Sequence, residues 1–153
     1  MATLVYPEKF RDLLFGIKVD RAAKVLPATA TESIFTVTGG AVLITGLVGT
    51  VTTATDATAT NLSVVATPSS GTAVTLASTV AAASKEIGSM FALNATAGGA
   101  LVVTTAGAAF LQPVRALVAV GNIQITTSAT NAGVVKWSLT YVPWDTAGRV
   151  AAA

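Results

Sequence analysis

Between Val134 and Pro143 the chain reads Val-Val-Lys-Trp-Ser-Leu-Thr-Tyr-Val-Pro, and no other feature limits its fold as much as this period of two. Val135, Trp137, Leu139 and Tyr141 fall on one face and Lys136, Ser138 and Thr140 on the other, the pattern of a strand with one side buried. Pro143 has no N–H to give a ladder and ends the segment. The same alternation runs through Val114–Val120 and Ile123–Thr127 on either side of Gly121-Asn122, a two-residue hairpin signal. That hairpin would set Val120 against Ile123 and Val118 against Ile125. A five-residue loop, Ala129–Gly133, would then place Trp137 opposite Ile125 and Leu139 opposite Ile123, because a slip of one residue sends every side chain to the wrong face.

Upstream, Ile34–Thr38 and Ala41–Thr45 flank Gly39-Gly40 and predict a second hairpin, with Phe35 opposite Ile44 and Val37 opposite Val42. Val48–Thr53 continues past Gly46 and Gly49, glycines that suit a bulge or a bend between sheets. Asn61–Thr67, Ala73–Ala77, Ser89–Leu93 and Leu101–Thr105 are shorter strand candidates. They are separated by Pro68-Ser69-Ser70-Gly71, Lys85-Glu86 and Gly98-Gly99, and after Pro143 the chain reads as a surface tail. Many short strands with regular turn signals and no long helical period predict an all-β fold, an antiparallel β-sandwich of which a jelly roll is one form. The expected organisation is an extended N-terminal arm, residues 1–27, and a β-sandwich domain, residues 28–153.

Charge is scarce. Charged residues make up 10% of the chain and apolar residues 52%, where about a quarter charged is usual. A body so poorly charged has little to keep it apart from its own copies, so much of its surface is expected to be covered in an assembly. Half of the charged residues lie in the first 24 positions, and the rest cancel. The formal net charge of +2 is too small and too dispersed to predict nucleic-acid or anionic-membrane binding. The uncharged runs Ser33–Thr55, Ala57–Ser84 and Ile87–Val114 are long enough for membrane spans but are broken by Gly, Ser and Thr, so none is expected to cross a bilayer. The first residues lack the order of a signal peptide.

Chemistry is limited by the same inventory. With no Cys and no His, thiolate nucleophiles, disulfides and the usual transition-metal ligands are absent, and no cofactor or metal site is expected. Asp56, Glu86 and Asp145 are too scattered to predict a carboxylate pair. Ser84-Lys85, being adjacent, would point to opposite faces of a strand. Asp56 between Thr55 and Thr58 has too little negative charge beside it for a calcium loop. The glycine pairs lack the helix and lysine of a phosphate cradle. The expectation is a protein that is not an enzyme, with Trp137 and Tyr141 in its core rather than stacked on a ligand.

The arm has its own pattern. Pro7 opens a helical turn, with Phe10, Leu13 and Leu14 on one side, and Asp20 precedes a second short turn stopped by Pro27. Such a segment either straps back onto its own sheet or reaches a neighbour. In the second case Tyr6, Phe10, Leu13, Leu14 and Phe15 are the candidate partner-binding anchors.

The segments Asp20-Arg21-Ala22-Ala23-Lys24-Val25-Leu26-Pro27, Ser33–Gly40, Ile125–Thr130 and Gly133–Pro143 together resemble a family of small structural proteins of tailed bacteriophages. The resemblance implies a virion component made in the host cytoplasm. For a small all-β chain it implies a capsid decoration, or cement, protein on the capsid surface. Such a protein would bind the major capsid protein through its arm and associate with itself, a trimer suiting a threefold site. The alternative within the virion is a tail or baseplate module with a receptor-binding sandwich. A secreted or surface-displayed bacterial β-domain is a third class, set against the missing export signal.

Overall fold

A computed structural model describes residues 7–111, 113 and 115–153, without the side chains of Glu8 and Leu13. One helix, α1 (Pro7–Phe15), is followed by β1 (Ile17–Asp20), β2 (Lys24–Val25), β3 (Thr31–Thr38), β4 (Val42–Thr53), β5 (Asn61–Pro68) and β6 (Val74–Ala81). Then come β7 (Met90–Ala92), β8 (Val102–Thr104), β9 (Ala116–Val118), β10 (Gly121–Thr127), β11 (Val134–Pro143) and β12 (Arg149–Ala152). They form two antiparallel sheets packed face to face. The first runs β1-β11-β4-β7-β8, with β2 also on β11 and β9 also on β4; the second runs β12-β3-β10-β5-β6.

The pairing is nested. β5 pairs with β6, β4 with β7, β3 with β10 and β1 with β11, each pair enclosing the previous one along the chain. This is one long two-stranded ribbon with its tip at β5–β6. Rolling it up brings β4 beside β11 and β5 beside β10, which is the jelly-roll form of the sandwich.

Strand positions and inward faces follow the alternation, but the pairings do not. The expected hairpin across Gly121-Asn122 is absent: β9 lies on β4 in the first sheet, while β10 lies between β3 and β5 in the second. Val118 and Ile125 are both buried, and Val120 is left partly exposed. Likewise β3 and β4 belong to different sheets, so Phe35, Ile44, Val37 and Val42 meet in the core without pairing. The same holds for Trp137 and Leu139 against Ile125 and Ile123. A glycine turn serves a crossing between sheets as well as a hairpin. Gly121, at φ +154°, is needed because a Cβ there would come 2.3 Å from Thr67 O.

Two further expectations change. The supposed tail contributes β12, which pairs with β3 from Arg149↔Thr38 to Ala152↔Phe35. Gly49 marks no change of sheet, since β4 runs unbroken from Val42 to Thr53. Gly49 instead sits directly between Trp137 and Phe91 on the neighbouring strands. The two rings stack over it at 6.5 Å between centroids, and a Cβ there would lie 2.7 Å from the indole. Gly46 does mark an irregularity, opposite the register shift at Thr140/Tyr141. Around the aromatic stack, Phe35, Ile34, Ile44, Leu47, Leu62, Ile123, Ile125 and Leu139 are fully buried. Each contributes about 1.5–3 kcal/mol by removal from water.

Residues 17–25 take the strap form. Ile17–Asp20 pairs with Tyr141–Ser138, and Lys24–Val25 with Val135–Val134.

Candidate interaction surface

Helix α1 leaves the body at Gly16. Its last turn is closed by the Gly16 amide donating to Asp12 O at 2.9 Å, and the Thr45 hydroxyl donates to Phe15 O at 2.7 Å. Gly16 has φ +91° and lies so close to β11 that a Cβ would meet Tyr141 O at 2.6 Å, so only glycine fits this joint. A helix of nine residues is too short to be stable alone, and this one leaves Phe10 55%, Leu14 60% and Phe15 65% exposed. Of the predicted anchors these three stand together on the helix. Tyr6 and the side chain of Leu13 lie outside the described residues.

The helix end sits above the outer face of the first sheet. Two residues before Thr45 on that face is Leu43, which lies opposite Val142 on β11 and Leu117 on β9. Val142 and Leu117 are exposed, so an apolar row crosses three strands beside the helix. Sequence reasoning missed this row. Its signal was an apolar residue on the polar side of an alternating strand: Val142 follows Lys136, Ser138 and Thr140 on one face, as Leu117 shares its face with Arg115.

The polar groups are occupied with structure. Asp56 Oδ1 accepts from the Thr58 amide at 2.9 Å and from Asn131 Nδ2 at 2.9 Å, and its Oδ2 accepts from the Ala132 amide at 3.1 Å. The Ala132 amide first, and Thr58 next, hold its carboxyl below the usual range. Asp56, which had too little negative charge beside it for a calcium loop, is a clasp between two loops. Asp20 is held low by the Ser138 hydroxyl and by Lys18, and Asp145 accepts from the Ala41 amide at 2.7 Å. Ser84 and Lys85 lie in a tight connection where Ser84 has φ +52° and the Lys85 amide donates to Thr55 Oγ1 at 2.6 Å. Among the described residues no group of three Asp or Glu converges, and no helix is long and apolar enough to cross a membrane.

Arg21 is the largest surprise. It is only 6% exposed, pairs with Glu32 of β3, and donates from Nε to Ala153 O at 3.1 Å. Lys24 joins Glu32 from outside at 2.8 Å. The cluster ties β1 and β2 of one sheet to β3 and the end of β12 in the other. No family model matches the chain, and neither a characterised protein nor a solved structure does.

Proposed function

We propose that this chain is a structural component of a tailed-bacteriophage virion, a capsid decoration protein that binds the major capsid protein shell through helix α1 and associates with its own copies. The observation that carries the reading is a short helix with Phe10, Leu14 and Phe15 turned to solvent, seated on a glycine joint beside the Leu43–Val142 row. Exposed apolar residues gathered on one element mark a docking surface. Burying them against a shell would supply the tertiary support that a lone short helix lacks. The charge-poor jelly roll suits a part that covers surface, and the N-terminal side chains Tyr6 and Leu13 extend the same apolar set in sequence.

Deleting residues 1–15 leaves β1 on its sheet and tests the reading directly. The truncated protein is expected to keep the strand-rich circular dichroism of the full chain and to stop co-sedimenting with capsid shells. A truncated protein that sediments with shells as well as the full chain does would remove the helix from this role. Copy number tests the location: many copies spread over the head fit decoration, whereas a few copies at the tail fit the tail-module alternative.

A further inference from the structure

The two flanks of the sandwich are closed by different means. The flank of β6, β8 and β9 closes over an apolar seam of about 180 Å³, to which Val74, Leu76 and Leu117 contribute. The opposite flank is closed by the strap, residues 17–26, which runs along the edge of β11 before the chain crosses to β3 in the other sheet. The ties that hold the strap reach residues much further along the chain. The Arg21 amide donates to Trp137 O at 2.8 Å and the Leu26 amide to Gly133 O at 2.9 Å. The Arg21 guanidinium pairs with Glu32, and the Ser138 hydroxyl donates to Asp20. Leu26 is 4% exposed and belongs to the core.

Strap and body are joined by a tight corner, Pro27-Ala28-Thr29-Ala30. Its two ends are gripped from β10, where the Thr127 hydroxyl donates to Pro27 O and the Thr127 amide to Ala30 O at 3.1 Å. Between these grips Thr29 has φ +47°. A β-branched side chain rarely enters this left-handed region, because its Cβ crowds the following carbonyl. Such strain persists only where the surroundings enforce it. Ala28 and Thr29 are exposed, so no packing around the corner enforces it. The short path from the strap to its own body does.

We infer that the strap is exchanged between copies of the chain, so that residues 7–28 of one subunit lie on β11 of another. The inference rests on the reading of the chain as an assembly component and supplies its route of self-association. A second copy is the occupant because Trp137, Gly133, Ser138, Glu32 and Ala153, which hold the strap, all lie beyond Thr29. Every one of these ties is therefore remade when a strap settles on a neighbour. A strained, short connection to an element whose seat is the same in each copy is the condition under which exchange is favoured. Thr29 relaxes to an extended conformation, and what opposes the exchange is the lost freedom of a separate subunit, which matters less as concentration rises. The strap lies near the start of the chain and β11 near its end, so reaching its own seat requires closing a long loop. Leu26 makes the exchange reciprocal, since a body without a strap has an open core that only another copy's strap fills. Helix α1 travels with the strap, and each subunit then displays its anchors from its neighbour.

The test is a crosslink between strap and seat. Lys18 and Thr140 lie opposite each other across β1 and β11, and the chain has no cysteine. The full chain carrying Lys18→Cys and Thr140→Cys is refolded at low and at high protein concentration, oxidised, and run on a denaturing gel without reductant. A strap on its own body gives a crosslinked monomer, and an exchanged strap gives a covalent dimer. The dimer is expected to dominate at high concentration and to vanish when the chain is diluted before refolding. Adding Thr29→Gly, which accepts a positive φ without strain, is expected to cut the dimer fraction several-fold. Thr29→Pro, whose ring fixes φ at about −65°, is expected to raise it. Crosslinked monomer at every concentration in the parent pair would overturn the inference, as would a dimer fraction that Thr29→Gly leaves unchanged. Dimers in sedimentation whose crosslinks all fall within one chain would overturn it too. These three readings decide the matter even where Thr29→Pro does not fold. No shell enters the test, so its failure leaves shell binding by α1 to its own experiment, and a covalent dimer stands even if no shell is bound.

Discussion

The flank formed by β1, β2 and β12 and the flank formed by β6, β8 and β9 close the same two sheets by opposite means. The first uses a buried Arg21 with the neighbouring Glu32 and Lys24 to hold the two sheets together, and the Asp20–Ser138 contact to hold β1 on β11. The second leaves an apolar seam and unpaired edges. A buried ion pair is weak evidence for stability as such, but it fixes one geometry because a misplaced partner leaves a charge unpaired. An apolar seam fixes no such geometry by itself. One flank therefore closes the sandwich with charge, and the other closes it with apolar side chains that stay partly open to water.

The sharpest way to break this contrast is at Arg21. Arg21→Ala strands Glu32 with only Lys24, and removing one member of a buried pair costs roughly 3–5 kcal/mol. The retained lysine and the 22% exposure of the Glu32 side chain place the expected loss at the low end, about 3 kcal/mol in denaturant unfolding. Hydrogen exchange should show protection lost in β1, β2 and β12 while β5 and β6 keep theirs. Equal loss on both flanks would mean that the cluster supports the whole sandwich and closes no particular side.

Gly49→Ala gives the contrasting result. Its methyl group would push into the Trp137–Phe91 stack, and overpacking of this kind costs about 1–3 kcal/mol. The stack lies between the flanks, so both should lose protection together. Loss confined to one side would show that the core couples to the flanks unequally.

Acid gives the smallest and most selective effect. Asp20 has a folded-state pKa held below its ordinary value by the Ser138 hydroxyl first and by Lys18 next. Its contribution is therefore present above the unfolded carboxylate range, near pH 4, and is lost as pH falls through that range toward the folded value. The seam flank holds no carboxylate between Asp56 and Glu86, or between Glu86 and Asp145. Lowering pH should loosen β1 before β6, as read by exchange rates at matched intrinsic chemistry, and Asp20→Asn should remove the difference. A β6 that opens first would contradict the assignment of charge to one flank.

Much of this was readable from residues alone, and the limit has a physical cause. Period two reports which side of a strand is buried, whatever lies beside it, so Trp137, Leu139, Phe35 and Ile125 were placed in the core correctly. It does not report the neighbour. Gly121-Asn122 and Gly39-Gly40 looked like hairpin turns because a crossing between sheets needs the same left-handed or crowded glycines, and the face sorting is identical in both cases. Phe10, Leu14 and Phe15 stood out as apolar residues in a charged segment. Arg21 did not, since a cation in that segment looks solvated until the fold lays β3 and β12 around it. β12 was hidden because Arg149-Val150-Ala151-Ala152 has almost no side-chain pattern to read.

The glycine joint under helix α1 ties presentation of the helix to the order of synthesis. Its floor is the backbone of Tyr141, in a strand that leaves the ribosome long after the helix does. The β5–β6 tip can zip as soon as it emerges, since its strands are close in sequence, while the outermost pair must close the longest loop. Until β11 arrives, β1 and β2 have no strand to lie against, and Gly16 has nothing to rest on. An unfinished chain therefore has no seat for the helix, whose exposed apolar residues take their places only once β11 has folded against β1.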